Sequence, residues 1–347
     1  MTHPGPVLVV TNLDDPTTDL VIDELHGRGV PVVRFDSGDF PATLSVAAMI
    51  TSEGITGTLT TPTRTADLAG VRSLYYRRPS GFTFPHLDEQ TARFAVSQAR
   101  YGLGGVMASL PGCLYVNHPH RIGDAEFKPS GLATAVTAGF QVPPTLLTSA
   151  PEAARAFIKT HGPVIYKPLS APLYRNADGV SCTVKVAEVA AKEIDEAIAG
   201  TAHLFQQRVD KVADARVTVI GDHVFTVRID SDLLDWRTDY GRLTYTPVQP
   251  PPGLTSALYR YLARFGLVFG CFDFAIGREG QWWFLECNPS GQWAWLEPET
   301  GLPMVAAMAD LLERKPTCPT TTSPYASASL NTLPPADTSA PRRGGRP

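Results

Sequence analysis

The chain has 347 residues, of which 43% are hydrophobic and 18% charged, enough for one large core or two to three smaller ones. Its formal net charge of −4, with the signs interspersed, provides no broad basic field to track a phosphate backbone, which argues against nucleic acid as a partner and for a small ligand. Cys113, Cys182, Cys271, Cys287 and Cys318 lack CxxC spacing, the N-terminus lacks a basic and then apolar signal region, and no apolar run reaches the ~18 residues of a membrane helix; the expectation is a reduced cytoplasmic protein, neither exported nor anchored.

In chain order, VLVVTN, DDPTTDLVIDELHGRG and VPVVRFD read as a βαβ unit. Strands are predicted at LSVAAMI, GITGTLTT and VRSLYYRR, and a helix at ARFAVSQARYGLGGVMASL, which together give an α/β N-terminal domain over residues 1–116. No GxGxxG follows the first strand, so a dinucleotide fingerprint is absent. A central block over 117–204 holds the helices KPSGLATAVTAGF and PEAARAFIKTHG and the strand VIYK. The block over 205–315 alternates ARVTVIGD, HVFTVRID, LTYTPV, the helix TSALYRYLARFG and the paired strands CFDFAI and WWFLECN, a mixed, largely antiparallel α+β pattern. Residues 316–347, rich in Pro, Ser, Thr and Ala, read as a disordered tail that cannot offset its own ordering entropy.

The chemistry concentrates in CFDFAIGREGQWWFLECNPSGQW. If Gly277 to Gly280 form a four-residue loop, Ile276 pairs with Gln281 and Asp273 lies opposite Phe284, and alternation gathers Asp273, Glu286 and Asn288 on one face. Two carboxylates and an amide suit magnesium, a hard cation that takes one or two protein carboxylates and fills its other positions with water and phosphate. The alternative is a hairpin with solvated acids, and an odd loop would place Asp273 and Glu286 on opposite faces.

Lys167 closes VIYK ahead of a Gly- and Ala-containing segment, LSAPLYRNADGVS, able to fold over phosphates, and Lys128 opens a helix upstream; as a pair they can neutralise a triphosphate, and singly each reads as a surface lysine. FQQRVD, Phe205 to Asp210, offers extended backbone to the edge of an adenine ring. Arg216 and Arg237 can clamp a γ-phosphoryl group or a carboxylate, or else pair with Asp214 and Asp235. The histidines form no defensible triad, and Tyr75 to Arg78 read as a strand end with solvent-facing arginines.

Taken together, VLVVTNLDDPTTDLVIDEL, YYRRP, NHPHRIGDAEFK, TAGFQVPPT, VIYKP, FQQRV with DARVTVIGD, LLDWRTDY, FDFAI and FLECNPSGQWAWLE resemble an ATP-grasp enzyme. Within that family the chain is most similar to the ribosomal-peptide maturases that make graspetides, the microviridin-type macrocyclases, from about Val7 to Leu312. The resemblance implies an α/β pre-ATP-grasp domain followed by α+β ATP-grasp domains, with ATP and Mg2+ as cofactors. It assigns Lys128 and Lys167 to phosphates, Gln206, Gln207 and Val209 to adenine, Asp273, Glu286 and Asn288 to magnesium, and Arg216 and Arg237 to the γ-phosphate or the acceptor carboxylate. Many relatives carry Gln-Glu at the adenine hinge where this chain has Gln206-Gln207. The implied partner is a precursor peptide with a leader segment, for whose docking groove Tyr75 to Arg78 are equal candidates beside the strand-end reading, and relatives are often homodimers. Competing readings are an ATP-grasp ligase that adds an amino acid to a protein or small acid, an ATP-binding module without turnover, and an α/β binding domain with no nucleotide.

Overall fold

The computed structural model describes residues 5–170, 173–175 and 180–314; the predicted tail lies outside them, as does part of the segment read as covering phosphates. The chain begins with β1 (Val7–Val10), α1 (Pro16–Gly27), β2 (Val32–Phe35), β3 (Ser45–Thr51), β4 (Gly54–Thr60), β5 (Thr65–Asp67), β6 (Ser73–Tyr76), α2 (Glu89–Met107) and β7 (Leu114–Val116). Next come α3 (Pro119–Glu126), α4 (Lys128–Ala138), β8 (Thr145–Thr148), α5 (Pro151–His161), β9 (Val164–Lys167), β10 (Leu173–Arg175), β11 (Ser181–Thr183), β12 (Ala187–Val189) and β13 (His203–Gln207). The last stretch holds β14 (Lys211–Ile220), β15 (His223–Asp230), β16 (Thr244–Pro247), α6 (Leu254–Phe265), β17 (Phe269–Gly277), β18 (Trp282–Asn288), α7 (Leu296–Thr300) and α8 (Met304–Glu313).

The first strands form a parallel sheet in the order β2-β1-β6-β7, beside a small antiparallel sheet β3-β4-β5. Val7, Leu8, Val9 and Val10 are all buried, as a parallel strand covered on both faces requires. The second sheet runs β12-β9-β13-β8 and the third β16-β15-β14-β17-β18, both antiparallel. Of the segment read as covering phosphates, β10 is described, paired antiparallel with β11, which starts at the segment's last residue.

The third sheet positions the site because its two faces differ in chemistry. Ala213, Ala215, Val217, Phe272, Phe274 and Ile276 pack on α6, whose Leu254, Ala257, Leu258, Tyr261, Leu262 and Phe265 recur at helical spacing along one stripe. The alternate residues of β14 and β17, among them Arg216 and Asp273, face the other side. Toward the far end of that side, Cys271, Phe225 and Val227 join a core shared with Val7, Val9, Tyr75 and Trp293, so the third sheet and the N-terminal sheet meet there. α8, not predicted from the sequence, packs on α1 and β6 through the same core. Among the described residues no helix is long and apolar enough to cross a membrane.

Candidate active site

β17 and β18 carry the acids, in a register different from the predicted one. Gly277 N donates to Gln281 O at 2.9 Å, so the turn encloses three residues, and the ladder starts Ile276↔Trp282, Ala275↔Trp283, Phe274↔Phe284. The expected pairings of Ile276 with Gln281 and Asp273 with Phe284 are therefore wrong. An odd loop alone would leave Glu286 on the far face. A bulge at Leu285 adds one residue to β18, after which Asp273 pairs with Glu286 and Cys271 with Asn288. The three oxygen-bearing side chains thus reach one face by loop and bulge together.

Around them stands a ring of cations. Arg216, opposite Asp273 on β14, donates through Nη1 to Asp273 Oδ1 at 2.7 Å. Arg237 Nη1 lies 2.7 Å from Glu286 Oε1 and 3.7 Å from Asp273 Oδ2. Lys128 Nζ, on the first residue of α4, donates to Glu286 Oε2 at 3.1 Å, and Asn288 Nδ2 sits 3.3 Å from both Asp273 Oδ2 and Glu286 Oε1. Lys167 Nζ stands 3.4 Å from Gln206 Oε1, while Gln206 Nε2 donates to Thr145 Oγ1 at 2.9 Å. Lys167 is only 8% exposed, which replaces the surface-lysine reading.

Electrostatics follow from that crowding. Burial opposes ionisation of Glu286, but Arg237, Lys128 and Lys167 outweigh it and hold its carboxyl well below the usual range. Burial pushes the Asp273 carboxyl up against the pull of Arg216 and Arg237, and the same burial lowers the Lys167 amine. Lys128, Lys167, Arg216 and Arg237 outnumber Asp273, Glu286 and Asp235, an excess of positive charge suited to a polyanion.

The donor set fits magnesium. Among the described residues no group of three or more His, Cys, Asp or Glu side chains is arranged to hold a metal, so the set depends on two carboxylates and the Asn288 amide, whose oxygen takes the place of its nitrogen on a half-turn.

Two local devices hold the arginines. Asp235 caps the turn Trp236–Thr238, accepting from Arg237 N at 3.1 Å and Arg237 Nε at 2.9 Å, and Arg237 lies against the Trp236 ring. Lys211 Nζ ties that loop to β14, donating to Leu234 O at 2.9 Å and to Asp214 Oδ2 at 2.5 Å. Arg216 pairs with Asp273 and not with Asp214, the alternative partner its sequence offered; Asp214 Oδ2 accepts from Lys211 instead.

Burial raises Asp214 from 3.8 to about 6 despite Lys211. Between those values the folded chain keeps a proton that the unfolded chain has released, so this group's contribution to stability is full below 3.8 and is lost as pH rises through about 6. Asp214→Asn is expected to flatten the unfolding free energy across that window, measured by urea titration at several pH values.

Gly291, just past β18, allows no side chain: a Cβ there would lie 2.8 Å from Cys271 Cβ, 2.9 Å from Arg216 Nη2 and 3.0 Å from Asn288 Cβ. Gly291→Ala is expected to cost about 1–3 kcal/mol by overpacking, read from the urea midpoint.

The structure brings Lys128, Lys167, Gln206, Arg216, Arg237, Asp273, Glu286 and Asn288 into one cluster. Gln207 and Val209 stand at and just past the end of β13, where Gln207 N donates to Pro144 O and Val209 O accepts from Lys211 N. Among the described residues neither is hydrogen-bonded to the charged group. Arg208 N is also taken, by Pro163 O, which limits the backbone free for an adenine edge. His118 caps α3 and its ring meets Ala108 O, a structural role. Arg77, read as solvent-facing, is buried against the segment after β18, held there by Ser290 O, Gly291 O and Gln292 Oε1.

Residues 6–123 match the family model described as the MvdD pre-ATP grasp domain. The fold is similar to a RiPP-associated ATP-grasp ligase from Chryseobacterium gregarium, solved in complex with ADP and a leader and core peptide, at 25% identity over 89% of this chain and 96% of that one, with a TM-score of 0.80. It is similar also to the macrocyclase MdnC bound with precursor peptide MdnA from Microcystis aeruginosa, at 25% identity, 88% and 99% coverage and a TM-score of 0.79. Macrocyclase MdnB from the same organism matches at 28% identity, 89% and 99% coverage and a TM-score of 0.76. No curated protein matches the chain.

Proposed function

We propose, from the premise that this chain belongs to the ATP-grasp ligases of the graspetide-maturase group, that it activates Asp or Glu carboxylates of a ribosomal precursor peptide with ATP and closes ester or amide crosslinks to Ser, Thr or Lys. The observation that carries this reading is the pairing of Asp273 with Glu286 inside a ring of four cations.

Asp273, Glu286 and Asn288 would hold magnesium, which would supply positive charge against the phosphates of bound ATP. Lys128 and Lys167 act as point charges on phosphate oxygens, and Gln206, Gln207 and Val209 line the adenine end. The guanidinium groups of Arg216 and Arg237 match a carboxylate in shape and orient the substrate acid toward the γ-phosphorus. A carboxylate oxygen of the peptide bonds to that phosphorus as the bond to ADP breaks, giving an acyl phosphate. A hydroxyl or amine of the same peptide then bonds to the acyl carbon; phosphate leaves, the nucleophile loses its proton, and the net change is one water lost. Arg216 and Arg237 bear the negative charge that builds on the acyl oxygen and the departing phosphate.

The same reading divides the chain into a pre-ATP-grasp domain over 1–116, ATP-grasp subdomains over 117–204 and 205–315 and a tail over 316–347, in a cytoplasmic homodimer. Incubation with Mg2+, ATP and a Thr-, Asp- and Glu-rich peptide encoded beside this chain tests it by mass spectrometry. One water lost per ring and one ADP per water are expected; gain of an amino-acid residue mass instead would replace the macrocyclase by an amino-acid ligase.

A further inference from the structure

The four residues after β18 lie outside any strand ladder, yet their carbonyls are held one by one. Pro289 O accepts from Asn117 Nδ2 at 2.9 Å, Ser290 O and Gly291 O accept from Arg77 Nη1 at 3.0 and 2.8 Å, and Gln292 O accepts from Arg216 Nη2 at 2.8 Å. The Gln292 side chain is held as well: Oε1 accepts from Arg77 Nη2 at 2.8 Å and from Thr17 Oγ1 at 2.6 Å. Behind Arg77 stands Asp15, 0% exposed, whose Oδ2 accepts from Thr11 Oγ1 at 2.9 Å, Thr18 Oγ1 at 2.6 Å and Arg77 Nε at 3.4 Å. Asp15 precedes α1 at the capping position, but its side chain makes no cap bond there; the carboxylate is spent on this network.

A guanidinium that only balanced Asp15 would use one edge. Arg77 turns its other edge onto three acceptors of one short segment, the segment that begins at Asn288 and ends on the carbonyl restraining Arg216. The packing at Gly291 makes the coupling stiff, since Arg216 Nη2 and Asn288 Cβ crowd the position a Cβ would take. We propose that Arg77, braced by Asp15, is a positioning residue for the reaction: from the N-terminal domain it fixes Ser290 to Gln292 and thereby the placement of Asn288 and Arg216. The inference rests on the function proposed above. Asn117 supports it from the other end, with Oδ1 accepting from Val268 N and Phe269 N at the start of β17.

The test uses the full chain with Mg2+, ATP and the neighbour-encoded peptide. Arg77→Lys keeps a positive charge toward Asp15, but one ammonium cannot span Asp15 and three further acceptors. Gln292→Leu removes the side-chain link and leaves Arg77 in place, so it stands in should Arg77→Lys fail to fold. The readouts are the KM for ATP and the number of ADP released per water lost from the peptide. Neither depends on what fraction of the enzyme is folded, so a loss of stability alone moves neither. A misplaced Asn288 and Arg216 are expected to raise the KM by roughly 10-fold or more and the ADP count above one, as small displacements of catalytic groups do. Wild-type KM and one ADP per water in the variants would overturn the proposal and make Arg77 a plain interdomain staple. A wild-type chain that neither dehydrates the peptide nor releases ADP overturns the parent reading, and this one with it.

Discussion

Glu286→Gln is expected to lower peptide dehydration by roughly 10³-fold or more, since even residues behind a metal ligand cost 10–100-fold in affinity or activity when lost. The substitution keeps volume and hydrogen-bonding capacity, so β18 and its ladder to β17 should stay intact. What it removes is charge. Glu286 accepts from Arg237 at 2.7 Å and Lys128 at 3.1 Å, and it is the acid that those cations and Lys167 hold ionised. With an amide there, the proposed metal position keeps a single carboxylate, Asp273, already bonded to Arg216. Rates from quenched time points read by mass spectrometry, alongside circular dichroism, separate lost chemistry from lost fold. Turnover within tenfold of wild type would remove Glu286 from the metal site.

Arg216 should show the next largest effect, and in two separable ways. Arg216→Met leaves Asp273, 3% exposed, without its closest ion-pair partner, and stranding a buried charge of this kind costs on the order of 3–5 kcal/mol. The midpoint of a urea titration should fall accordingly. Arg216→Lys keeps the charge, so the fold should hold. It cannot keep both the bond to Asp273 Oδ1 and the bond to Gln292 O while offering a paired edge to a substrate carboxylate. A loss of roughly 10²–10³-fold in kcat is expected, the scale seen when one donor to a developing oxyanion is removed. A lysine variant with wild-type kcat would confine Arg216 to neutralising Asp273.

Regular periodicity made much of the fold legible. The βαβ start, α6 with its apolar stripe, α2 and the long strands of the third sheet all show their period in the sequence. Short elements did not: β5 and β7 have three residues each, too few to show any period, and α3 is only eight residues long with a low apolar content. α8 was legible in principle, since Met304, Ala307, Met308, Leu311 and Leu312 recur at helical spacing, but it is short and runs directly into the Pro- and Thr-rich stretch, with no capping residue to mark its end.

In the site, residue types pointed to a cluster of acids and cations while its geometry was hidden. Nothing in WWFLECN marks Leu285 as a bulge, because an apolar residue fits a strand whether or not it is paired. The Arg77–Asp15 pair joins positions 62 residues apart, a separation at which no local pattern carries information. Asp214 and Asp235 were visible as partners for the arginines; Arg237 takes Asp235, but Arg216 takes Asp273 across the ladder, and Asp214 pairs with Lys211 three residues away.

Carboxylate activation by phosphoryl transfer is tested most directly by following an oxygen atom. With a peptide whose Asp and Glu side-chain carboxylates carry heavy oxygen, the chain, Mg2+ and ATP should release inorganic phosphate containing one heavy oxygen for each water lost from the peptide. Phosphate released without the label, while rings still form, would contradict an acyl phosphate and with it the proposed role of every residue around Asp273 and Glu286.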